Sequence, residues 1–205
     1  MVSILCLFIG VAIGATAGRQ LLLKRNMGEA LVANTLSKLN CLHVLINNVT
    51  LPTENGTTQV DHVLITEAGV FIIETKHYTG WILGNPRDKK WTQVIYRTKH
   101  RFQNPLHQNY GHVKSVQALF KLPERAFIGV VVFTGNAELR TDLGPNTMLL
   151  NQLLEFIEQR RERILDERQM AYVVGRIEMK RLGRSSETDE YHVNYVRKRI
   201  SQRGY

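Results

Sequence analysis

Asp61, Glu74 and Lys76 are the residues whose types and spacing could do chemistry in this chain. They interrupt two apolar runs, Val60-Asp61-His62-Val63-Leu64-Ile65 and Val70-Phe71-Ile72-Ile73-Glu74-Thr75-Lys76. Both runs read as strands, joined by the turn Thr66-Glu67-Ala68-Gly69, in which Gly69 tolerates a positive φ. With Glu67 and Ala68 as the loop, Asp61 falls opposite Glu74, where paired Cβ atoms lie about 4.5–5.5 Å apart. Lys76, two residues beyond Glu74, projects from the same face. A one-residue slip would scatter the three. Two carboxylates side by side in an apolar sheet repel each other and are costly to bury unpaired. A divalent ion, Mg²⁺ or Mn²⁺, removes that cost, since Mg²⁺ is commonly held by one or two carboxylates plus waters and substrate phosphate. A lysine beside it orients or helps to deprotonate the attacking water, or stabilises charge developing on a phosphate. The spacing also allows a buried Asp/Glu–Lys ion pair with no chemistry.

Charge distribution points to a polyanionic partner. The chain has 205 residues, enough for one domain with extras, and a net charge of +9. Residues 76–125 hold ten Lys/Arg against Asp88 and Glu124, almost the whole excess, directly after the Glu-x-Lys strand. Lys89, Lys90 and Arg101 in this segment are candidate substrate-binding residues. Trp81 and Trp91, interleaved with it, could stack on bases or simply pack a sheet. The two cysteines, Cys6 and Cys41, provide neither a disulfide framework nor a Cys-based zinc site, which fits a reducing compartment.

The elements that must position these residues follow in order. Val2 to Gly18 carries no charge and, extended by Leu21-Leu22-Leu23, reads as a transmembrane anchor over residues 1–23. Arg19, Lys24 and Arg25 follow it, which by the positive-inside rule puts the N-terminus outside and the rest in the cytoplasm, single-pass in the cell (inner) membrane. A cleaved signal peptide ending at Ala15-Thr16-Ala17 and a buried helix are the rival readings. Asn26 to Leu39 predicts a helix capped by Asn26, with Glu29 either the capping carboxylate or a third acid facing the hairpin. Cys41 to Leu51 predicts a first strand, and Pro52 to Thr58 an exposed turn. Trp91 to Tyr96 alternates like a further strand, and Pro105 opens a helix running to about Phe120. Ala126 to Phe133 reads as a strand covered on both faces. Thr147 to Leu150 is a short strand or a lead-in to a helix over Asn151–Leu165; further helices are expected over Glu167–Arg181 and Glu187–Arg203. The chain lacks a phosphate-binding glycine loop and a Ser-His-Asp pattern, so no nucleotide cofactor is expected.

Six dispersed blocks carry a more specific signal: Gly28-Glu29, Gln59-Val60-Asp61-His62, Gly69-Val70-Phe71, Ile73-Glu74-Thr75-Lys76 with Gly80, Trp91, and Asn104-Pro105-Leu106-x-Gln108. In this order they resemble the nuclease-related domain, NERD, over roughly Met27 to Ala137. That family is regarded as similar to the PD-(D/E)xK nucleases, which include Holliday-junction resolvase-like and restriction-like enzymes. The resemblance implies an α/β fold with a restriction-endonuclease-like mixed sheet flanked by helices. It implies metal ligation by Asp61 and Glu74, water positioning or base catalysis by Lys76, a helix-one carboxylate in Glu29, and a substrate or fold-supporting role for Gln108. The expected organisation is an anchor at 1–23, a NERD-like domain at 26–140 and a helical extension at 141–205. The expected activity is metal-dependent hydrolysis of phosphodiester bonds, with nucleic acid as partner and DNA ahead of RNA. A non-catalytic nucleic-acid-binding module and a membrane scaffold are the other readings.

Overall fold

The computed structural model describes residues 22–54 and 56–183. A helix, α1, covers 22–36, and two strands, β1 (His43–Thr53) and β2 (Gly56–Thr66), form a long antiparallel hairpin after it. β3 (Gly69–His77) returns antiparallel to β2 through the two-residue turn, with Thr66 paired to Gly69 and Gly69 at φ +134°. The chain then leaves the sheet for β4 (Gly80–Leu83), β5 (Lys90–Ile95) and β6 (Thr98–Gln103), before α2 (Pro105–Gln117) brings it back. β7 (Phe127–Thr134) lies parallel to β3 and is followed by the short strands β8 (Ala137–Leu139) and β9 (Thr147–Leu149). α3 (Leu153–Glu158) and α4 (Glu167–Lys180) complete the described fold.

The central sheet is mixed, in the order β1-β2-β3-β7-β9, and a second sheet runs β6-β5-β4-β8. Helices cover both faces of the central sheet. Alternate residues of β3 divide between two cores, as a period of two requires: Val70 and Ile72 join Val116 of α2 and Met170, Val173 and Ile177 of α4, whereas Phe71 and Ile73 join Val32 and Leu36 of α1 and Leu153 and Ile157 of α3. The continuous apolar run of β7 follows from this double burial. A third cluster, Ile82, Trp91, Val131, Phe133, Ala137 and Leu143, fastens the second sheet to β7. Tyr78, Phe102, Trp91 and Phe133 form a continuous set of aromatic contacts within it, with ring centroids 5.0–6.4 Å apart.

Several expectations are corrected. Asn26 is no cap: the helix already includes residues 22–25, and Asn26 lies inside it. The Pro52–Thr58 turn is far tighter than expected, since β1 and β2 pair as far as Thr53 and Gly56. The helix over Asn151–Leu165 stops at Glu158, because Ile164 and Leu165 donate their amides to the carbonyl of Glu67 and hold the chain extended against the hairpin turn. Residues after 140 supply β9 to the central sheet and α4 to its core. The expected membrane span at 1–23 and the helix at Glu187–Arg203 lie outside the described residues, save Leu22 and Leu23. Among the described residues no helix is long and apolar enough to cross a membrane.

Candidate active site

The turn sets the register on which the acid cluster depends. Ladder pairs run from Thr66–Gly69 to His62–Ile73, and the next step in the same register sets Asp61 against Glu74. The ladder stops short of that pair because the Asp61 side chain intervenes: its Oδ2 accepts the amide of Thr75 at 2.9 Å. On the other side, β1 and β2 skip the Asn48–Asp61 pair, and Asn48 takes a left-handed conformation at φ +54°. Local opening of the sheet on both sides thus gives Asp61 room to point its second oxygen, Oδ1, elsewhere.

Glu74 and Lys76 project toward α2. Glu74 is 3% exposed, and its Oε1 accepts from Lys76 Nζ at 2.6 Å. The ammonium also donates to Gln108 Oε1 at 3.1 Å. His112, one turn beyond Gln108 on α2, brings Nε2 to 3.3 Å from Glu74 Oε2, within ion-pair distance but without hydrogen-bond geometry. The opposite ring nitrogen is held by Thr58 Oγ1 at 2.7 Å. α2 is seated for this task by Asn104, whose side chain accepts from Leu106 N and donates to the carbonyls of Pro86 and Asp88. Asn109 donates to the carbonyls of Ile72 and Val130, tying the helix to β3 and β7.

Glu29 enters from α1. Gly28 makes the approach possible: a Cβ there would stand 2.8 Å from His77 Cβ and 2.9 Å from Thr134 Oγ1. Glu29 is buried and does not cap its helix. Its Oε1 accepts from Arg25 Nε at 2.6 Å, one turn earlier. The same guanidinium donates through Nη2 to Gln59 Oε1 at 3.0 Å and stands 3.9 Å from Asp61 Oδ1.

Electrostatics separates the two carboxylates. Burial, reinforced by the charges of Glu74 and Glu29, pushes Asp61 up to about 8. Burial acts on Glu74 in the same sense, but the ammonium of Lys76, with His112, overrides it and holds Glu74 below the usual carboxylate range. Lys76 is likewise desolvated, yet Glu74 raises its pKa and keeps it an ammonium. The simple ion pair is therefore present, and it leaves Asp61 holding the surplus proton.

Two carboxylate oxygens here accept no hydrogen bond among the described residues. Glu74 Oε2 is buried with no hydrogen-bond partner among the described residues, and Asp61 Oδ1 faces the Arg25 guanidinium only at a distance. One oxygen from each of two carboxylates is the protein share that Mg²⁺ commonly takes, the remainder coming from water and phosphate. Among the described residues no group of three or more His, Cys, Asp or Glu side chains is placed to hold a metal alone.

Asp61, Glu74 and Lys76 lie together as the hairpin register predicts, Gln108 meets Lys76 from α2, and Arg25 joins Glu29 to them. Lys89, Lys90 and Arg101 lie instead at the start of β5 and along β6, in the second sheet. Trp91 is wholly buried in sheet packing, whereas Trp81 is 46% exposed and carries Arg140 4.5 Å above its ring. Arg25 and Asn109 escaped the sequence reading. Arg25 was explained by membrane topology alone, although its i,i+4 spacing to Glu29 is a usable signal. Asn109 is one of several polar residues on α2, and the sequence does not set it apart from them.

The chain is 50% identical over 100 residues to an uncharacterized protein of Bacillus anthracis, an alignment covering 48% of this chain and 47% of that one. It thus spans about half the length of that curated relative. No solved structure matches it. The family model described as nuclease-related domain, NERD, matches residues 24–134, which holds β1 to β7 with α2 and every residue of the acid cluster. The chain belongs to the nuclease-related domain family.

Proposed function

We propose that this chain is a membrane-anchored nuclease that hydrolyses phosphodiester bonds with Mg²⁺ or Mn²⁺, in a fold akin to restriction endonucleases. The observation that carries the reading is the convergence of Asp61, Glu74, Lys76 and Gln108 on one face of the sheet, in a chain of this family. Asp61 Oδ1 and Glu74 Oε2 would hold the ion. Bound there, it supplies polarisation of a phosphoryl oxygen and an acidified water. Lys76, kept charged by Glu74, orients that water and stabilises charge on the phosphate rather than taking a proton. Gln108 holds the ammonium in line, and His112 Nε2 stands 3.3 Å from Glu74 Oε2, the oxygen offered to the ion. Nucleic acid, DNA ahead of RNA, is the substrate, and the basic segment supplies sequence-independent backbone contacts.

Val2–Gly18 supports the anchor, with the catalytic domain on the cytoplasmic side of the cell membrane. A second reading, a tethered nucleic-acid-binding module without catalysis, is favoured by the β5–β6 hairpin: Tyr96 at its tip is 98% exposed beside Arg97, Lys99 and Arg101. The full chain, tested with either metal on single-stranded, duplex and branched DNA and on RNA, separates the two. Metal-dependent cleavage that falls at least about a hundredfold in Lys76→Ala and Asp61→Ala is expected. Cleavage unchanged in both would remove this site from the chemistry, and binding without cleavage would select the module.

A further inference from the structure

Arg25 has no role in the chemistry proposed above, yet among the described residues it contacts the acid cluster from the side opposite Lys76. The two cations divide the acids between them. Lys76 takes Glu74, whereas the Arg25 guanidinium takes Glu29 at 2.6 Å and reaches Asp61 Oδ1 at 3.9 Å. Asp61 Oδ1 is the oxygen that Thr75 leaves unclaimed, and so the one Asp61 can offer a metal. The guanidinium is held from three directions, by Glu29, by Gln59 and by its own turn of α1, but its side chain is 44% exposed and opens to solvent. It can therefore swing away without breaking the core.

We propose that Arg25 is the resident counter-cation of the acid cluster and competes with the divalent ion for Asp61. The proposal rests on the metal-site reading above. Its logic is Coulombic: a positive charge a few ångströms from a ligand oxygen repels an incoming dication, and the repulsion is felt strongly in a partly buried site. The same charge stabilises the crowded acids of the protein without metal. Metal binding turns the guanidinium outward, at the mouth of the site, where a phosphate would approach. Arg25 is thus a positioning residue that sets the metal threshold of the centre.

The test uses the full chain in detergent, stripped with EDTA and titrated with Mn²⁺ while free ion is followed by its EPR signal. Arg25→Gln is expected to bind Mn²⁺ about tenfold or more tighter than wild type. Arg25→Lys, which keeps the charge, is expected to stay within about threefold of wild type. Wild-type binding with no gain in Arg25→Gln would overturn the proposal and leave the metal site standing, as would an equal gain in both variants. No Mn²⁺ binding by any of the three would overturn the metal reading itself, and this proposal with it. A measurement on wild type alone guards against a misfolded variant: the Arg25 Nε–H resonance should shift on adding Mg²⁺, as the bond to Glu29 breaks. An unmoved resonance under saturating Mg²⁺ contradicts the displacement.

Discussion

At the residue scale, the site is defined by how unequally its two strand carboxylates are treated. Glu74 has a lysine against it and ionises easily, whereas Asp61 has one backbone amide and a distant guanidinium to set against burial and two neighbouring acids. The pH dependence follows from the sign of the Asp61 shift. Its folded pKa of about 8 lies above the unfolded value of 3.8, so the folded chain carries the extra proton between those limits. That contribution to stability is complete below about pH 4 and is lost as pH rises toward 8. His62 acts in the opposite sense at lower pH: burial lowers it to about 4, so it costs stability only as pH falls below its ordinary 6.5. Denaturant unfolding in EDTA should therefore show the wild type losing stability between pH 6.5 and 8.5, and Asp61→Asn should abolish most of that loss. A slope unchanged in the variant would mean that Asp61 does not hold the proton. On the proposed metal reading the ion takes the proton's place, so affinity for Mn²⁺ should rise over the same window.

At the element scale, the decisive contacts are those that bring α1 and α2 to the end of β3. Gly28 sits where α1 crosses His77 and Thr134, two side chains already bonded to each other at 2.9 Å. Gly28→Ala gains roughly 0.5–1 kcal/mol of helix propensity, but overpacking costs about 1–3 kcal/mol. The variant should therefore be less stable, with α1 displaced and Glu29 withdrawn; a higher midpoint in thermal unfolding would refute that packing. Much of this layer was legible in the sequence, for physical reasons. The two-residue turn fixed the hairpin register, and register fixed which residues share a face. The long apolar run of β7 announced double burial, and Pro105 announced the start of a helix. What escaped lacks a local signature. β6 is exposed along nearly its whole length and is held by strand pairing and by Phe102 against Tyr78 and Trp91, contacts that no sequence window contains. α3 ends where it does because the hairpin turn captures residues 164 and 165, again a long-range effect. Arg25 was hidden by a sufficient rival explanation, since basic residues after an apolar segment are what topology demands.

At the scale of the whole molecule, an apolar N-terminal segment, an acid cluster and a basic second sheet are arranged along one chain. The acid cluster lies at the edge where β3 hands the chain to the second sheet, and β6 hands it back through Asn104 to Gln108. Basic groups on β6 and the acid cluster on β3 are thus joined at both ends, which on the proposed reading suits a backbone tracked from one to the other. Anchoring makes its own prediction: a reporter fused after Tyr205 and active only outside the cytoplasm should stay silent, and activity there would reverse the topology. The central claim is that Asp61, Glu74 and Lys76 form a hydrolytic centre. Its most direct measurement is the initial rate of Mn²⁺-dependent DNA cleavage by the full chain beside Lys76→Ala, both confirmed as folded by their melting curves. The account predicts cleavage that EDTA abolishes and that Lys76→Ala reduces at least about a hundredfold; an equal rate in the two proteins would contradict it.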